Sequence, residues 1–498
     1  VVITKTCPSC SGKRLNEKIL SCKIQGMNIA DCMALSVDEL SEFITSLDAG
    51  PYEVVIKELY AKLQNIITIG LQYLTLDRST NTLSGGESQR IKMVRSLGNS
   101  LIDLLYIFDE PSIGLHPKDL QNIITIMQQI RDKGNSVLIV EHDPDLIKMA
   151  DQVIDIGPGS GRNGGEVVYN GTFKNLKNSK GKTGSYFAEK PFIKQKFRKP
   201  DGYLEIKNAN RYNLSNVTVH IPTGIMTVVT GVAGSGKSTL INRMLPELYP
   251  DVTIIDQSLF AASARSNVLT YLGISEIVRK LFARSNHVSD KMFSRNSEGS
   301  CRNCKGLGIE KIDLAFMDDI EQPCEVCGGS GFDPDVLQYR YNGKTIAEVM
   351  NMTVLEAISF FEEKSIVNNF DLLIQLGLDY LTLGQRLNSF SGGERQRLKL
   401  TRELKNTNQI IILDEPSTGL HPSDTQKLLT FFNGLVQQNN TLIVIEHNLD
   451  IISQADWIID MGPGAGKFGG KVLFEGTPQE LLKNKISFTA AFLRKHVQ

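Results

Sequence analysis

What this chain lacks narrows its class first. No stretch of its 498 residues approaches the roughly 18 consecutive apolar residues that a membrane-spanning helix needs, which argues against a helical membrane protein. Cys7-Pro8-Ser9-Cys10 and Lys13-Arg14 break up the first residues, a pattern unlike a secretion signal. Charge of one sign is also missing: 54 Lys and Arg against 55 Asp and Glu leave a net charge of −1, so any nucleic-acid site must be a local patch. Cysteines suited to disulfides are scarce, since six of the eight sit in C-x-x-C pairs. With no secretion signal, this usage points to a reducing, cytoplasmic setting and to metal binding. An initiator Met is absent as well.

What is present is a long-period repeat. Ser84-Gly85-Gly86-Glu87 recurs as Ser391-Gly392-Gly393-Glu394, and Gln-Arg follows each copy two residues later. Apolar runs 104–108 and 410–413 lead into Asp109-Glu110-Pro111-Ser112 and Asp414-Glu415-Pro416-Ser417. Runs 137–140 and 442–445 lead into Glu141-His142 and Glu446-His447. This order of motifs resembles that of ATP-binding-cassette ATPases, in duplicate. The offset between copies is 317 at Cys7/Cys324, 307 at Leu71/Leu378 and 305 at Asp109/Asp414, a drift that surface loops tolerate.

The second copy alone contains a P-loop, Gly231-Val232-Ala233-Gly234-Ser235-Gly236-Lys237-Ser238. Its counterpart would precede Val1, so the chain reads as a fragment whose first copy lacks its front. The expected organisation is a first cassette at 1–190, a linker at 191–202 and a second cassette at 203–498, with an insert at 265–400. The apolar runs before each acidic pair are not alternating and read as buried parallel strands. The expected fold class is therefore α/β: tandem P-loop NTPase units with a zinc-binding insert and a helical signature subdomain. A strand at 226–230 feeds the P-loop, and 238–245 continues as a helix.

The chemistry follows from these motifs. Backbone amides of Gly231, Gly234, Ser235 and Gly236, with the start of the next helix at Thr239, can approach phosphates. Lys237 can reach the β- and γ-phosphates, and Ser238 can ligate Mg²⁺. Asp414 suits Mg²⁺, Glu415 suits polarising the attacking water, and His447 suits sensing the γ-phosphate. Asp109, Glu110 and His142 are the first-copy equivalents. Gln257, after the strand-like 253–256, fits the loop that reports nucleotide state. Each Ser-Gly-Gly-Glu is a capping box, yet two glycines in a first turn weaken a helix, and their use is close backbone approach to an anion. Likeness to cassette ATPases implies composite sites. Ser84, Gly85 and Gly86 would cap the nucleotide on Lys237, and Ser391, Gly392 and Gly393 would cap the other.

Cys301-x-x-Cys304 and Cys324-x-x-Cys327 have the spacing of a closed, structural Zn²⁺ site with glycine-rich knuckles. Cys7 and Cys10 read as half of an equivalent site. Cys22 and Cys32 map to Tyr339 and Val349 of the second copy and read as buried free thiols.

A zinc module between P-loop and signature resembles the UvrA family, the DNA-repair ATPases of the bacterial UvrABC excinuclease. The matching stretches run through both copies: 231–240, 293–308, 324–329, 380–383, 390–398, 413–422, 444–447 and 460–466, with 73–76, 83–91, 109–117 and 155–161 in the first. The resemblance implies a dimeric, ATP-hydrolysing sensor of distorted duplex DNA, with ATP, Mg²⁺ and Zn²⁺ as cofactors and no nuclease activity of its own. A repair helicase of the UvrB type is the implied partner, provided that the missing front carries its docking domain. Residues 258–264 depart from the family's Pro-, Gly- and Arg-rich loop. That departure keeps open a paralogue conferring resistance to DNA-binding antibiotics. The remaining alternative, the ATPase of an exporter, is disfavoured by the zinc module and the absent membrane segments. Arg265, Arg279, Lys280, Arg284, Lys291 and Arg295, interleaved with Phe282 and Phe293, form a basic segment. Composition alone leaves a solvated helix face and a DNA contact equally open, and the resemblance favours phosphate contacts.

Overall fold

The computed structural model describes residues 7–48, 50–80, 83, 85–97, 101–159, 161, 164–256, 258, 265–312, 320–403 and 407–498. Ser84 and Gln257 lie outside them, as does most of the departing loop. The chain forms two packing units, one of residues 1–150, 190–252 and 443–498, the other of 151–189 and 253–442. Each unit therefore combines segments from both sequence repeats.

In the first unit the strand Met226–Gly231 is buried at all six positions. It pairs in parallel with Trp457–Gly462, from Thr227/Trp457 to Gly231/Met461. On its other side the Glu446 amide donates to the Val229 carbonyl at 3.1 Å. Continuous apolar sequence is what a strand covered on both faces requires. Gly202–Ala209 and Val217–Thr223 form an antiparallel pair. The second of these mostly alternates between buried and exposed positions, as a half-covered strand does. The predicted linker is tied down: Lys194 and Arg198 both pair with buried Asp456, at 2.5 and 2.9 Å.

The first repeat contributes a parallel pair, Leu105–Asp109 and Ser136–Val140, joined through the helix Pro117–Asp132. The sequence predicts buried strands here, and they are not: both alternate between exposed and half-buried positions. Tyr106, Phe108, Val137 and Ile139 pack on a core containing Ile123, Ile126, Met127 and Ile130 of the helix. The opposite face, with Leu105, Ile107, Leu138 and Val140, is exposed. A parallel sheet needs a layer on each face, and the described residues supply one.

Past the P-loop the backbone widens into a π-helical turn over Thr239–Met244 before four α-helical residues, Leu245–Leu248. Sequence predicts an ordinary helix here. Pro246 has no amide to donate, and its ring would crowd the carbonyl four residues earlier, so a wider turn relieves the strain.

The second unit holds the strand Ile410–Asp414, whose central Ile411, Ile412 and Leu413 are fully buried. It also holds the antiparallel pair Val153–Gly157 and Glu166–Gly171, and the helix Lys364–Gln375, which buries Ile366, Phe370 and Leu373. The signature helix Gly392–Glu403 belongs to this unit, as do the four paired cysteines.

Candidate nucleotide site and four-cysteine centre

The P-loop sits where parallel-strand pairing ends. Gly231 has φ +129°, and a Cβ there would lie 2.0 Å from the Met461 carbonyl oxygen. No other residue fits that approach. Gly234 and Gly236 are also left-handed, at φ +72° and +102°. Lys237 is buried, and its ammonium donates to the Gly231 and Val232 carbonyls at 2.8 and 3.0 Å. Ser235 is fully buried, whereas Ser238 is exposed at the start of the π turn and Thr239 half-exposed.

First-repeat residues lie directly on this loop. The Ala233 amide donates to Asp119 Oδ2 at 3.4 Å. The Tyr73 ring packs on Gly234, with two ring carbons 3.3 Å from where a Cβ would stand. The same Tyr73 hydroxyl donates to Glu87 Oε1 at 2.7 Å, and Arg78 pairs with Glu87 at 3.1 Å. Glu87 closes the first Ser-Gly-Gly-Glu, so one tyrosine connects the signature helix Gly85–Leu97 to the second-repeat P-loop. Burial, then the Glu87 charge, pushes the Tyr73 hydroxyl above its ordinary range and keeps it a donor. Burial also raises the Asp119 carboxyl, with Arg90 opposing.

His447 is almost wholly buried. Burial first, then Lys237, His116 and Arg90, hold its pKa well below the usual value, so it is neutral. Its backbone amide donates to Glu446 Oε2 at 2.7 Å. His116, seven residues after Asp109, meets the His447 ring edge-on, with centroids 5.8 Å apart.

Glu110 and Glu415 both adopt left-handed backbone conformations, φ +47° and +50°. Strain of this kind in a non-glycine residue is sparsely populated and concentrates at functional positions. His142 lies 3.7 Å from Glu110, whose carboxyl is raised mainly by burial. Asp109 is exposed, and Asp414 and Glu415 are half-buried in the second unit. In that unit the buried Gln396 side chain donates to the Asp414 carbonyl at 2.8 Å and the Ile255 carbonyl at 3.0 Å. Lys399 grips Asp256 at 2.8 Å, next to Gln257 in sequence. The second signature turn is the predicted capping box: Ser391 N–H donates to Glu394 Oε2 at 2.8 Å, and Glu394 N–H to Ser391 Oγ at 3.2 Å. A Cβ on Gly393 would meet the Thr418 carbonyl oxygen at 2.1 Å, whereas neighbouring Gly392 is half-exposed. Tyr380, 307 residues after Tyr73, hydrogen-bonds Glu394 as Tyr73 does Glu87.

Tyr73, His116 and Asp119 belong to none of the nucleotide-site motifs that the sequence displays. Their signal was the repeat itself, since Tyr-Leu-Thr-Leu occurs at 73–76 and 380–383, and Gly-Leu-His-Pro-x-Asp at 114–119 and 419–424.

Cys301, Cys304, Cys324 and Cys327 are all buried, with their four sulfurs within 4.8 Å of one another. Cys304 and Cys327 Sγ are 3.8 Å apart. That is the edge of a tetrahedron drawn with metal–sulfur bonds of about 2.3 Å. The Gly308 and Gly331 amides point at Cys304 and Cys327 Sγ, at 3.1 and 3.3 Å, and so stabilise thiolates. Burial pushes the Cys304 thiol up to about 12, as befits four sulfurs gathered without a countercharge. The residues fit a tetrahedral thiophilic ion.

Cys7 is exposed and Cys10 partly so, and among the described residues they join no second metal cluster. Cys22 is exposed and Cys32 half-buried; both are free, but neither is buried as expected. The short helix Glu17–Leu20 buries no residue and leaves Cys22 uncovered, whereas Cys32 packs at the margin of the small core of Val37, Leu40, Ile44 and Leu63.

In the basic segment Phe282 and Phe293 are core residues, with ring centroids 5.1 Å apart. Arg279 is half-buried, and Lys280 is paired with Glu276 at 2.6 Å. Arg295 lies over the Phe332 ring at 5.2 Å, and burial lowers its pKa to about 10. Arg265, Arg284 and Lys291 are exposed.

An ABC transporter family model matches residues 214–418. UvrABC system protein A of Streptomyces avermitilis is 41% identical over 98% of this chain and 53% of its own length. The Staphylococcus aureus protein of the same name is 40% identical over 98% of the chain and 56% of its own length. The crystal structure of UvrA2 from Deinococcus radiodurans superposes with a TM-score of 0.93, at 36% identity, over the whole chain and 66% of that protein. The chain belongs to the UvrA family. It spans about half the length of the curated UvrA proteins it matches. Among the described residues, no helix of this UvrA-family chain is long and apolar enough to cross a membrane.

Proposed function

We propose that this chain is an ATP-hydrolysing DNA-damage sensor of nucleotide excision repair, working in the cytoplasm as a homodimer. The observation that carries this reading is Tyr73, which touches the second-repeat P-loop at Gly234 and the first-repeat signature at Glu87. A P-loop joined in this way to another cassette's signature is the framework of a composite ATP site.

In this reading the Lys237 ammonium leaves the Gly231 and Val232 carbonyls and pairs with the β- and γ-phosphates. P-loop amides and the Gly85 and Gly86 amides cradle the phosphates from two sides. Ser238 and Asp414 carry the oxygens that would hold Mg²⁺, and the ion would supply positive charge against the negative charge developing on the phosphates. Glu415 orients and deprotonates the attacking water, and neutral His447 donates a hydrogen bond to the γ-phosphate. Glu110, His142, Asp109 and the turn at Ser391 serve the equivalent site. Zn²⁺ on the four cysteines is structural, because four thiolates leave no open position.

Exposed Arg265, Arg284 and Lys291 bind DNA phosphates. Such contacts are independent of sequence, as a sensor of distorted duplex requires. A helicase of the UvrB type receives the lesion, provided that sequence outside these 498 residues carries its docking domain. The decisive experiment measures ATP turnover with and without duplex DNA, intact or lesion-bearing. Lesion-dependent change in turnover supports the reading; ATP turnover indifferent to DNA refutes it.

A further inference from the structure

Two histidines from the repeated Gly-Leu-His-Pro-x-Asp segment are engaged in matching hydrogen-bond chains, one inside each packing unit. In the first unit His116 Nε2 lies 3.1 Å from Thr489 Oγ1, and Thr489 donates to Asp460 Oδ1 at 2.9 Å. In the second, His421 Nε2 lies 2.9 Å from Thr183 Oγ1, and Thr183 donates to Asp155 Oδ1 at 2.9 Å. Histidine and aspartate correspond at an offset of 305, the threonines at 306. In each chain the histidine comes from one repeat and the Thr–Asp pair from the other.

The chemistry of the chain fixes the tautomer. A threonine hydroxyl has one proton, and here a carboxylate takes it. The oxygen must then accept from histidine, so His116 carries its proton on Nε2. Its other nitrogen agrees: the Lys118 amide donates to His116 Nδ1 at 3.1 Å, which requires an unprotonated Nδ1. At His421 the Ser423 amide donates to Nδ1 at 3.2 Å in the same way. His116, Thr489 and Asp460 are almost completely buried, so each bond is expensive to leave unmade.

We infer that Thr489 and Asp460 are positioning residues: they lock His116 as the Nε2–H tautomer and hold its ring edge-on to His447, while Thr183 and Asp155 lock the tautomer of His421. This inference rests on the ATP-hydrolysing reading. Thr489 and Asp460 lie outside the P-loop, but Asp460 stands opposite Thr230 in the strand pairing and its charge reaches Lys237, so the Thr489 hydroxyl is the part of the chain that acts on the histidine alone. Its effect reaches the nucleotide through His116 and then His447. His116 follows the strained Glu110 by only six positions, so the same lock ties the hydrolytic turn of the first repeat to the switch histidine of the second.

The test is Thr489→Val, which keeps shape and removes the hydroxyl, with Thr489→Ser as the conservative control. ATP turnover and ATP affinity are measured separately on the whole chain. The expected result is a fall in kcat of about tenfold with KM within about twofold of the parent, and recovery in the Ser variant. A Thr489→Val protein with the parent's kcat overturns the inference, as does a loss carried mainly by KM or one that Ser fails to restore. If Val unfolds the protein, Thr489→Ala gives the same decision, since it also removes the hydroxyl from the proton chain and leaves the Asp460 charge in place. A parent without ATP turnover refutes the hydrolytic reading itself, an outcome distinct from an active parent with an indifferent variant.

Discussion

Replacing Cys304 by serine tests the four-cysteine centre most directly. The four sulfurs lie within 4.8 Å of one another, and the 3.8 Å edge between Cys304 and Cys327 matches a tetrahedral zinc–thiolate site. Structural zinc contributes on the order of 10–16 kcal/mol, so one ligand of four accounts for roughly 3 kcal/mol, or about two decades in affinity. The loss falls on a segment with little else to hold it. The two knuckles are joined by a hairpin, Ile309–Ile312 with Ile320–Pro323, whose residues are all exposed or half-buried. Glycines at 306, 308, 328, 329 and 331 all have positive φ, a costly arrangement to order without the ion. Zinc content, chelator competition and amide exchange at Gly308 and Gly331 form the assay. The parent should carry one tightly bound zinc here, and Cys304→Ser should surrender it to about a hundredfold weaker chelator, with faster exchange at both glycines. The pH dependence has a definite sign. The Cys304 thiol is pushed up to about 12 without metal, so binding must expel its proton, and affinity falls as pH falls. A metal-free parent, or a Cys304→Ser protein with full zinc and parental chelator resistance, refutes the reasoning.

Lys237→Ala is expected to abolish high-affinity ATP binding, while Glu415→Gln keeps binding and slows hydrolysis by about 10²–10⁴-fold; equal loss of nucleotide affinity in both contradicts the division of roles. Arg284→Ala with Lys291→Ala should weaken duplex binding similarly across sequences and make the log affinity–log salt slope shallower by about two, and an unchanged slope returns that surface to plain solvation. Asp456→Asn should cost about 3 kcal/mol, read as faster exchange at the Arg198 and Met226 amides that donate to it. Burial pushes the Asp456 carboxyl up, but Lys194 and Arg198 pull it further down, to below its ordinary value. Its contribution is therefore complete above the unfolded pKa of about 3.9 and lost as pH falls through the lower folded value; loss on the alkaline side instead would contradict this assignment.

The sequence by itself determined the chemistry that is local. Glycines at the P-loop, a capping box at the signature, apolar runs ending in acidic pairs and C-x-x-C knuckles each fix their geometry within a few residues, and each was legible as a pattern. Cys301 to Cys327 could be grouped because their spacing alone brings four sulfurs together. Tertiary structure decided what depends on distant segments. Tyr73 could not be tied to Gly234, 161 residues away, because a tyrosine carries no mark of which backbone it will cover. His116 and Thr489 are separated by 373 residues, and their shared proton chain exists only where packing excludes water from both. The same holds for burial. The runs at 105–109 and 410–414 read alike as sequence, yet one exposes half its side chains and the other buries its centre, because burial depends on which layers cover a sheet. Basic residues of the 265–295 segment likewise look equivalent in a string of letters. Packing turns Arg295 onto Phe332 and leaves Arg284 and Lys291 in solvent, where long-range electrostatics can act.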